Sequence, residues 1–163
     1  MDNLFTTRLV LERITESHFE DLHALNSDPE VMRFLDGVRS REQSWAELQR
    51  ILAGAATPGF GGWAVLRQTD RMFLGRCGIK RAAQTEEAEL LYAFRSGFWR
   101  QGYATEAAAE VLRHTFQQGV PVVIACAVPA NTASLAVMQR IGMQFARQAR
   151  MYDEEMLIYS ASA

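Results

Sequence analysis

The sequence predicts a mixed α/β fold: one sheet of about seven strands, mostly antiparallel, with helices on both faces. Three successive runs, GWAVLRQ, MFLGRCGIKR and EAELLYAF, read as strands joined only by short polar turns around Thr69-Asp70 and Gln84-Thr85. Downstream, Ala104, Ala107, Ala108, Val111, Leu112, Thr115 and Phe116 recur at helical spacing on one face. That helix leads into the apolar run PVVIACAV, and a crossover of this length implies that the strands it joins run parallel.

The elements follow in order. RLVLERI, with Leu9, Leu11 and less strictly Val10, is the first strand. A helix beginning at Thr15 carries Phe19, Leu22 and Leu25 and stops near Ser27-Asp28-Pro29. A short helical turn through Val31–Phe34 precedes a longer helix from Arg41 to Ala55, which Thr57-Pro58-Gly59 ends. After the three-strand run, a helix opens at Gly102 and closes at Gly119; its alanine-rich start is narrow enough to lie close against a sheet. Asn131 caps a short helix that Gly142 terminates, and strands over Gln144–Arg150 and Glu155–Ser160 finish the chain. No repeat, low-complexity tract or linker divides residues 1–163, which read as a single domain.

Composition narrows the function. At 48% apolar and 22% charged residues the chain resembles ordinary globular proteins. A net charge of −2 and a pI near 5.9 argue against a nucleic-acid groove or an anionic membrane partner, while leaving room for a local phosphate site. Cys77 and Cys126 sit among small or apolar residues and have neither disulfide-framework nor zinc spacing, which makes a reducing cytoplasm the simplest location. The start, MDNLFTTRLVLERITE, has no apolar signal region. No run approaches the ~18 apolar residues of a membrane span. His18 and His23 share no metal-ligand geometry on a helix, and no metal is expected. His114, after Glu110 on a polar helix side, reads as a surface pair. Trp45 and Trp63 read as packing; Tyr152 and Tyr159 read as core or rim, with a place beside an acceptor as the alternative.

The chemistry concentrates where the strand Glu89–Phe94 runs into the loop Arg95–Gln101 and then Gly102-Tyr103-Ala104-Thr105-Glu106-Ala107. The first turn of a helix carries unpaired N–H groups and the positive end of its dipole. A glycine there lets a phosphate approach, and Arg100 adds a mobile positive charge. Gly97 and Gly102 have P-loop spacing, but Tyr103 stands where its lysine belongs and Ala104 where its metal-binding hydroxyl belongs. The three glycines of a Rossmann loop are absent. A pyrophosphate cradle and an ordinary strand–helix turn both remain open on this segment alone.

Taken with its surroundings, W-R-Q-G-Y-A-T-E-A resembles the acyl-CoA-binding motif of the GNAT N-acetyltransferase superfamily, Gln/Arg-x-x-Gly-x-Gly/Ala. The similarity is greatest to the branch of ribosomal-protein-alanine N-acetyltransferases. Thr7-Arg8-Leu9-Val10-Leu11-Glu12-Arg13, Asp28–Met32, Glu89-Leu90-Leu91-Tyr92, Asn131 with Ser134, and Gly142-Met143 are similar to its motifs in order along nearly the whole chain. Trp99, Leu91 and Met143 depart from the consensus, and Met138 stands where many members carry the tyrosine that protonates the departing thiolate.

The resemblance implies an N-acetyltransferase domain with acetyl-CoA as cofactor and direct transfer within a ternary complex. The pyrophosphate would rest on Gln101, Gly102, Tyr103, Ala104 and Thr105 beside Arg100, and the pantetheine arm would pair with the backbone of Tyr92, Ala93 and Phe94. Glu89 is the candidate base, with a merely solvated glutamate as the competing reading. Ser134 is the candidate donor to the thiolate and Asn131 a candidate coenzyme A contact; both also suit a helix start. The acceptor would be a protein N-terminus or a small amine, with no nucleic-acid or membrane partner, and the chain a monomer or homodimer. A non-catalytic acyl-CoA-binding module of the same fold is the alternative from another class.

Overall fold

The computed structural model describes residues 3–163. Eight strands form one sheet in the order β1-β2-β3-β4-β5-β6-β8-β7. They are β1 (Leu4–Phe5), β2 (Leu9–Arg13), β3 (Gly61–Arg67), β4 (Phe73–Arg81), β5 (Ala88–Phe94), β6 (Val122–Ala127), β7 (Gln144–Met151) and β8 (Glu154–Ser162). Four α-helices connect them: α1 (Phe19–Asn26), α2 (Arg41–Gly54), α3 (Tyr103–Gln117) and α4 (Thr132–Arg140). The expected mixed, mostly antiparallel sheet is present, with β1 as a strand beyond the expected seven. At two residues, β1 is too short to show a period, and it pairs through Leu4 with Leu11 and Phe5 with Val10.

Local chemistry sets the helix boundaries. Ser40 accepts from Gln43 N–H at 3.1 Å, and the Gln43 side chain accepts from Ser40 N–H at 2.8 Å, a reciprocal cap that opens α2. Thr15 begins a 3-10 turn, Glu16–His18, that leads into α1. Alternation along the strands divides the core in two. Leu9, Leu11, Trp63, Val65, Cys77, Leu90 and Val123 pack with Ala107, Ala108 and Val111 of α3 on one face. Val10, Ala64, Leu66 and Ala93 pack under α1 and α2 on the other. Ala107 and Ala108 are fully buried, as their small side chains allow when a helix lies directly on a sheet.

His114 departs from its surface-pair reading. Its ring stands edge-on to the buried Trp63 at 5.4 Å, while Glu110 pairs with Arg113 instead. Burial first, then the nearby Arg13 and Arg113, push the imidazole below its ordinary range. Among the described residues, no helix is long and apolar enough to cross a membrane.

Candidate active site

The site originates in a sheet irregularity. β5 pairs antiparallel with β4 along its full length, from Arg81↔Ala88 to Gly75↔Phe94. On its other side it pairs with β6 in parallel at two positions only, Ala88↔Val123 and Glu89↔Ile124, and the strands then part. Arg95 N–H donates to the Leu74 carbonyl at 2.8 Å, so by alternation the backbone groups of Ala93 and Leu91 also turn toward β4. Those of Tyr92 and Phe94 face the gap, where the Phe94 carbonyl accepts from the Trp99 indole at 2.8 Å. The main-chain groups of Tyr92 and the Phe94 N–H still face the gap, which can accept an extended ligand as an added strand.

Past β5 the chain makes a 3-10 turn, Ser96–Phe98, and passes Arg100 (φ 61°) before reaching Gly102 at φ 81°. That left-handed φ is natural for glycine and costly for other residues. Gly102 has no side chain to cap α3, whose ladder begins with Glu106 N–H donating to the Gly102 carbonyl at 3.0 Å. The N–H groups of Tyr103, Ala104 and Thr105 thus lie outside the intrahelical ladder at the positive end of the helix dipole. Arg100 and Gln101 are exposed beside them.

Arg8, a residue whose role the sequence did not reveal, fixes this helix start. Its guanidinium donates to the Gln101 carbonyl and to Glu106, each at 2.8 Å, and lies 4.3 Å above the centre of the Tyr103 ring. Thr6 donates a further hydrogen bond to Glu106 at 2.5 Å. Partial burial works to raise the Glu106 pKa, but the bonds from Thr6 and Arg8 outweigh it and hold the carboxyl below the usual glutamate range. The one acid in the first turn is thereby occupied, and its charge opposes an incoming phosphate less.

The closed end of the gap holds a buried carboxylate. Glu89 occupies the last paired position before β5 and β6 separate and is 5% exposed. It accepts a hydrogen bond from the Tyr152 hydroxyl and lies 3.9 Å from the Lys80 ammonium, whose strand position it opposes. Lys80 also sits 4.5 Å from the centre of the Tyr152 ring. Tyr152 and Asp153 form the turn of the β7–β8 hairpin, both at positive φ (54° and 60°), where Asn-Gly is the usual choice. A bulky aromatic in that conformation is costly by about 1–3 kcal/mol, and here its hydroxyl reaches the carboxylate. Burial, then the Glu89 contact, push the Tyr152 hydroxyl pKa well above the usual phenol range. Cys126, across the gap, is pushed up to about 12 by burial and then by Glu89, so it stays a thiol.

Ser134 lies in the first turn of α4. Asn131 caps that helix by accepting from Ser134 N–H at 3.3 Å. Tyr92 extends from β5 to the same place: its hydroxyl donates to the Ser134 carbonyl at 2.9 Å and lies 3.0 Å from Ser134 Oγ. Burial is the main reason the Tyr92 phenol is pushed up to about 12, against a lowering contribution from Ser134. Met138 is buried nearby, 1% exposed.

A cavity of about 210 Å³ joins these groups, lined by Glu89, Tyr92, Cys126, Asn131, Ser134 and Tyr152 among others. It connects the carboxylate on the α1–α2 face with the hydroxyl pair under α4. The sequence candidates therefore fall into two clusters. Glu89, Tyr92, Asn131 and Ser134 line the cavity, whereas Arg100, Gln101, Gly102, Tyr103, Ala104 and Thr105 form the helix start beyond the open end of β5. Phe94 and Ala93 are buried along that strand. Among the described residues, no group of three or more His, Cys, Asp or Glu side chains is placed to hold a metal.

The open strand edge and the uncapped helix start suit an extended molecule with a pyrophosphate, as coenzyme A is. A family model described as Acetyltransferase (GNAT) domain matches residues 8–144. FsC-acetyl coenzyme A-N(2)-transacetylase of Aspergillus fumigatus is 34% identical over 152 residues, which cover 86% of this chain and 64% of that protein. An acetyltransferase structure from Agrobacterium tumefaciens superposes with a TM-score of 0.90 at 25% identity, covering 100% of this chain and 95% of that one. RimL, a ribosomal L7/L12 alpha-N-protein acetyltransferase solved with coenzyme A, shares the fold at a TM-score of 0.80 and 19% identity, over 99% of this chain and 98% of its own.

Proposed function

Because the chain belongs to the GNAT acetyltransferase family, we propose that it moves the acetyl group of acetyl-CoA to a primary amine by direct transfer within a ternary complex. The single observation that carries this reading is the cavity at the separation of β5 and β6, with a buried carboxylate at one side and a hydroxyl pair at the other. Acetyl-CoA supplies the acetyl group as an activated thioester. Gln101 to Thr105 bind its pyrophosphate through main-chain N–H groups, Arg100 adds positive charge, and the free edge of Tyr92 to Phe94 aligns the pantetheine arm. A backbone N–H on this edge, turned into the gap, stabilises the negative charge that develops on the carbonyl oxygen.

Glu89 takes the proton the amine must lose, directly or through a water, and Tyr152 orients the carboxylate for that task. At the other side, Tyr92 and Ser134 face the leaving sulfur. A proton held at about 12 on Tyr92 does not pass readily to a thiolate whose acid has a pKa near ~8.5. That proton is already given to the Ser134 carbonyl, so Ser134 is the hydrogen-bond donor to the sulfur and Tyr92 holds it in place. The tyrosine missing at Met138 is then replaced in effect by the Ser134 hydroxyl, one turn earlier on the same helix α4. Ser134→Ala should lower turnover roughly 10-fold, the worth of a hydrogen bond to a charged group, and Tyr92→Phe by less, with acetyl-CoA affinity within a few-fold of wild type. Unchanged turnover in both variants, with chemistry rate-limiting, would return the pair to a structural role.

The names of the two relatives support an amine acceptor: one transfers acetyl to an N(2) position and the other to the alpha-nitrogen of a ribosomal protein. Either a protein N-terminus or a small amine is consistent with the cavity. The free cysteines suit a reducing cytoplasm, where residues 1–163 act as one catalytic domain, a monomer or homodimer. Release of free thiol from acetyl-CoA, followed across a panel of primary amines and short peptides, tests the assignment; a panel in which no amine stimulates release would defeat it.

A further inference from the structure

A second cavity, of about 480 Å³, adjoins the first on the α1–α2 side and shares Arg39, Arg76, Lys80 and Leu91 with it. Its charge is one-sided. Arg39, Arg50, Arg76, Lys80 and Arg81 line it, against the single carboxylate of Glu47. Glu47 serves two guanidiniums, pairing with Arg39 and standing 3.4 Å from Arg76. The first cavity carries Asp36, Glu89 and Glu154 as well, so the unbalanced charge lies in the second.

Arg76 is the unusual member. It is 7% exposed, it lies between Gly75 and Cys77 in the buried middle of β4, and its buried Nε has no hydrogen-bond partner among the described residues. Burial is the first cause that lowers it to about 10, which leaves it charged at neutral pH. A buried cation with part of a partner is costly to fold. An incoming oxyanion on the guanidinium fork would offset that cost with charge-assisted hydrogen bonds.

Arg76 and Lys80 share a face of β4, and Lys80 opposes Glu89. Four residues of strand put Arg76 about 14 Å along the sheet from the position of Glu89, a span that the long arginine side chain shortens. We propose that this second cavity is an acceptor subsite for an oxyanion, so that the amine acetylated near Glu89 belongs to a molecule that also carries a carboxylate or phosphate, held by Arg76. This inference rests on the acetyl-transfer reading above and names the class of its acceptor.

The test compares amines that differ only in the oxyanion: amino acids against their amides, and phosphoethanolamine against ethanolamine. The wild-type kcat/KM should favour the anionic member by roughly 10- to 100-fold, the worth of a hydrogen bond to a charged group. The two pairs separate carboxylate from phosphate as the preferred group. Arg76→Met should bring the ratio close to one, mainly through KM. Equal efficiency for both members in wild type, or a ratio that survives Arg76→Met, overturns the subsite. The wild-type comparison needs no variant and stays decisive should Arg76→Met fail to fold. Acetylation of neutral amines without an anionic preference defeats this inference alone; no acetylation of any amine defeats the acceptor assignment with it.

Discussion

Gly102→Glu is expected to abolish coenzyme A binding while leaving the protein folded. The residue holds φ at 81°, and a side chain there would start 3.3 Å from the Arg8 guanidinium. Glutamate would bring a negative charge to the N–H groups of Tyr103, Ala104 and Thr105, the groups proposed to bind the pyrophosphate, and would compete for Arg8. The left-handed conformation costs a non-glycine residue about 1–2 kcal/mol, a fraction of the 5–15 kcal/mol or so that holds a domain together. The lesion should therefore be local. Gly102→Ala separates strain from charge and should lose only part of the affinity. Titration calorimetry with coenzyme A, alongside circular dichroism, measures both; near-wild-type affinity in a folded Gly102→Glu protein would remove the cradle from this position.

Glu89→Gln should slow transfer by roughly 100-fold, the low end for loss of a general base. The amide keeps the shape and can still accept the Tyr152 hydroxyl, so the change isolates basicity from packing. Wild-type activity should rise with pH along a limb that reports this base or the amine itself. The variant should recover part of its loss at high pH, where more of the acceptor is already neutral. Coenzyme A affinity should scarcely change, because Glu89 lies on the α1–α2 face while the pyrophosphate site lies beyond the far end of β5. Superimposable pH–rate profiles for the two proteins would exclude Glu89 as the base.

Much of this architecture was legible in the sequence because it follows local rules. The alanine face of α3, the Asn131 cap of α4, and the polar turns between β3, β4 and β5 are all short-range patterns. The crossover through α3 implied the parallel β5–β6 pair, but no local pattern announces that the pair ends after Glu89. Arg8 was visible within a motif, yet its contact with Gln101 and Glu106 depends on where the sheet carries the start of β2. Tyr152 reads from sequence as core or rim, with a place beside the acceptor as the alternative, but its contact with Glu89 was hidden by hairpin register. Strands read as ending at Arg150 and resuming at Glu155 concealed a two-residue turn with an aromatic at positive φ. Arg76 offered a signal that was passed over, a charge between two glycine-flanked apolar stretches of β4. His114 misled because Glu110 stands one turn earlier, while Arg113 has the better geometry for that carboxylate.

The central claim is that acetyl passes directly between two molecules bound together at the separation of β5 and β6. Initial rates of thiol release, measured while acetyl-CoA and an acceptor amine are varied against each other, test it most directly. Direct transfer predicts intersecting double-reciprocal lines and no acceptor-independent burst of thiol. Parallel lines, with a burst equal to the enzyme concentration when acetyl-CoA is added alone, would show an acetylated enzyme and contradict it.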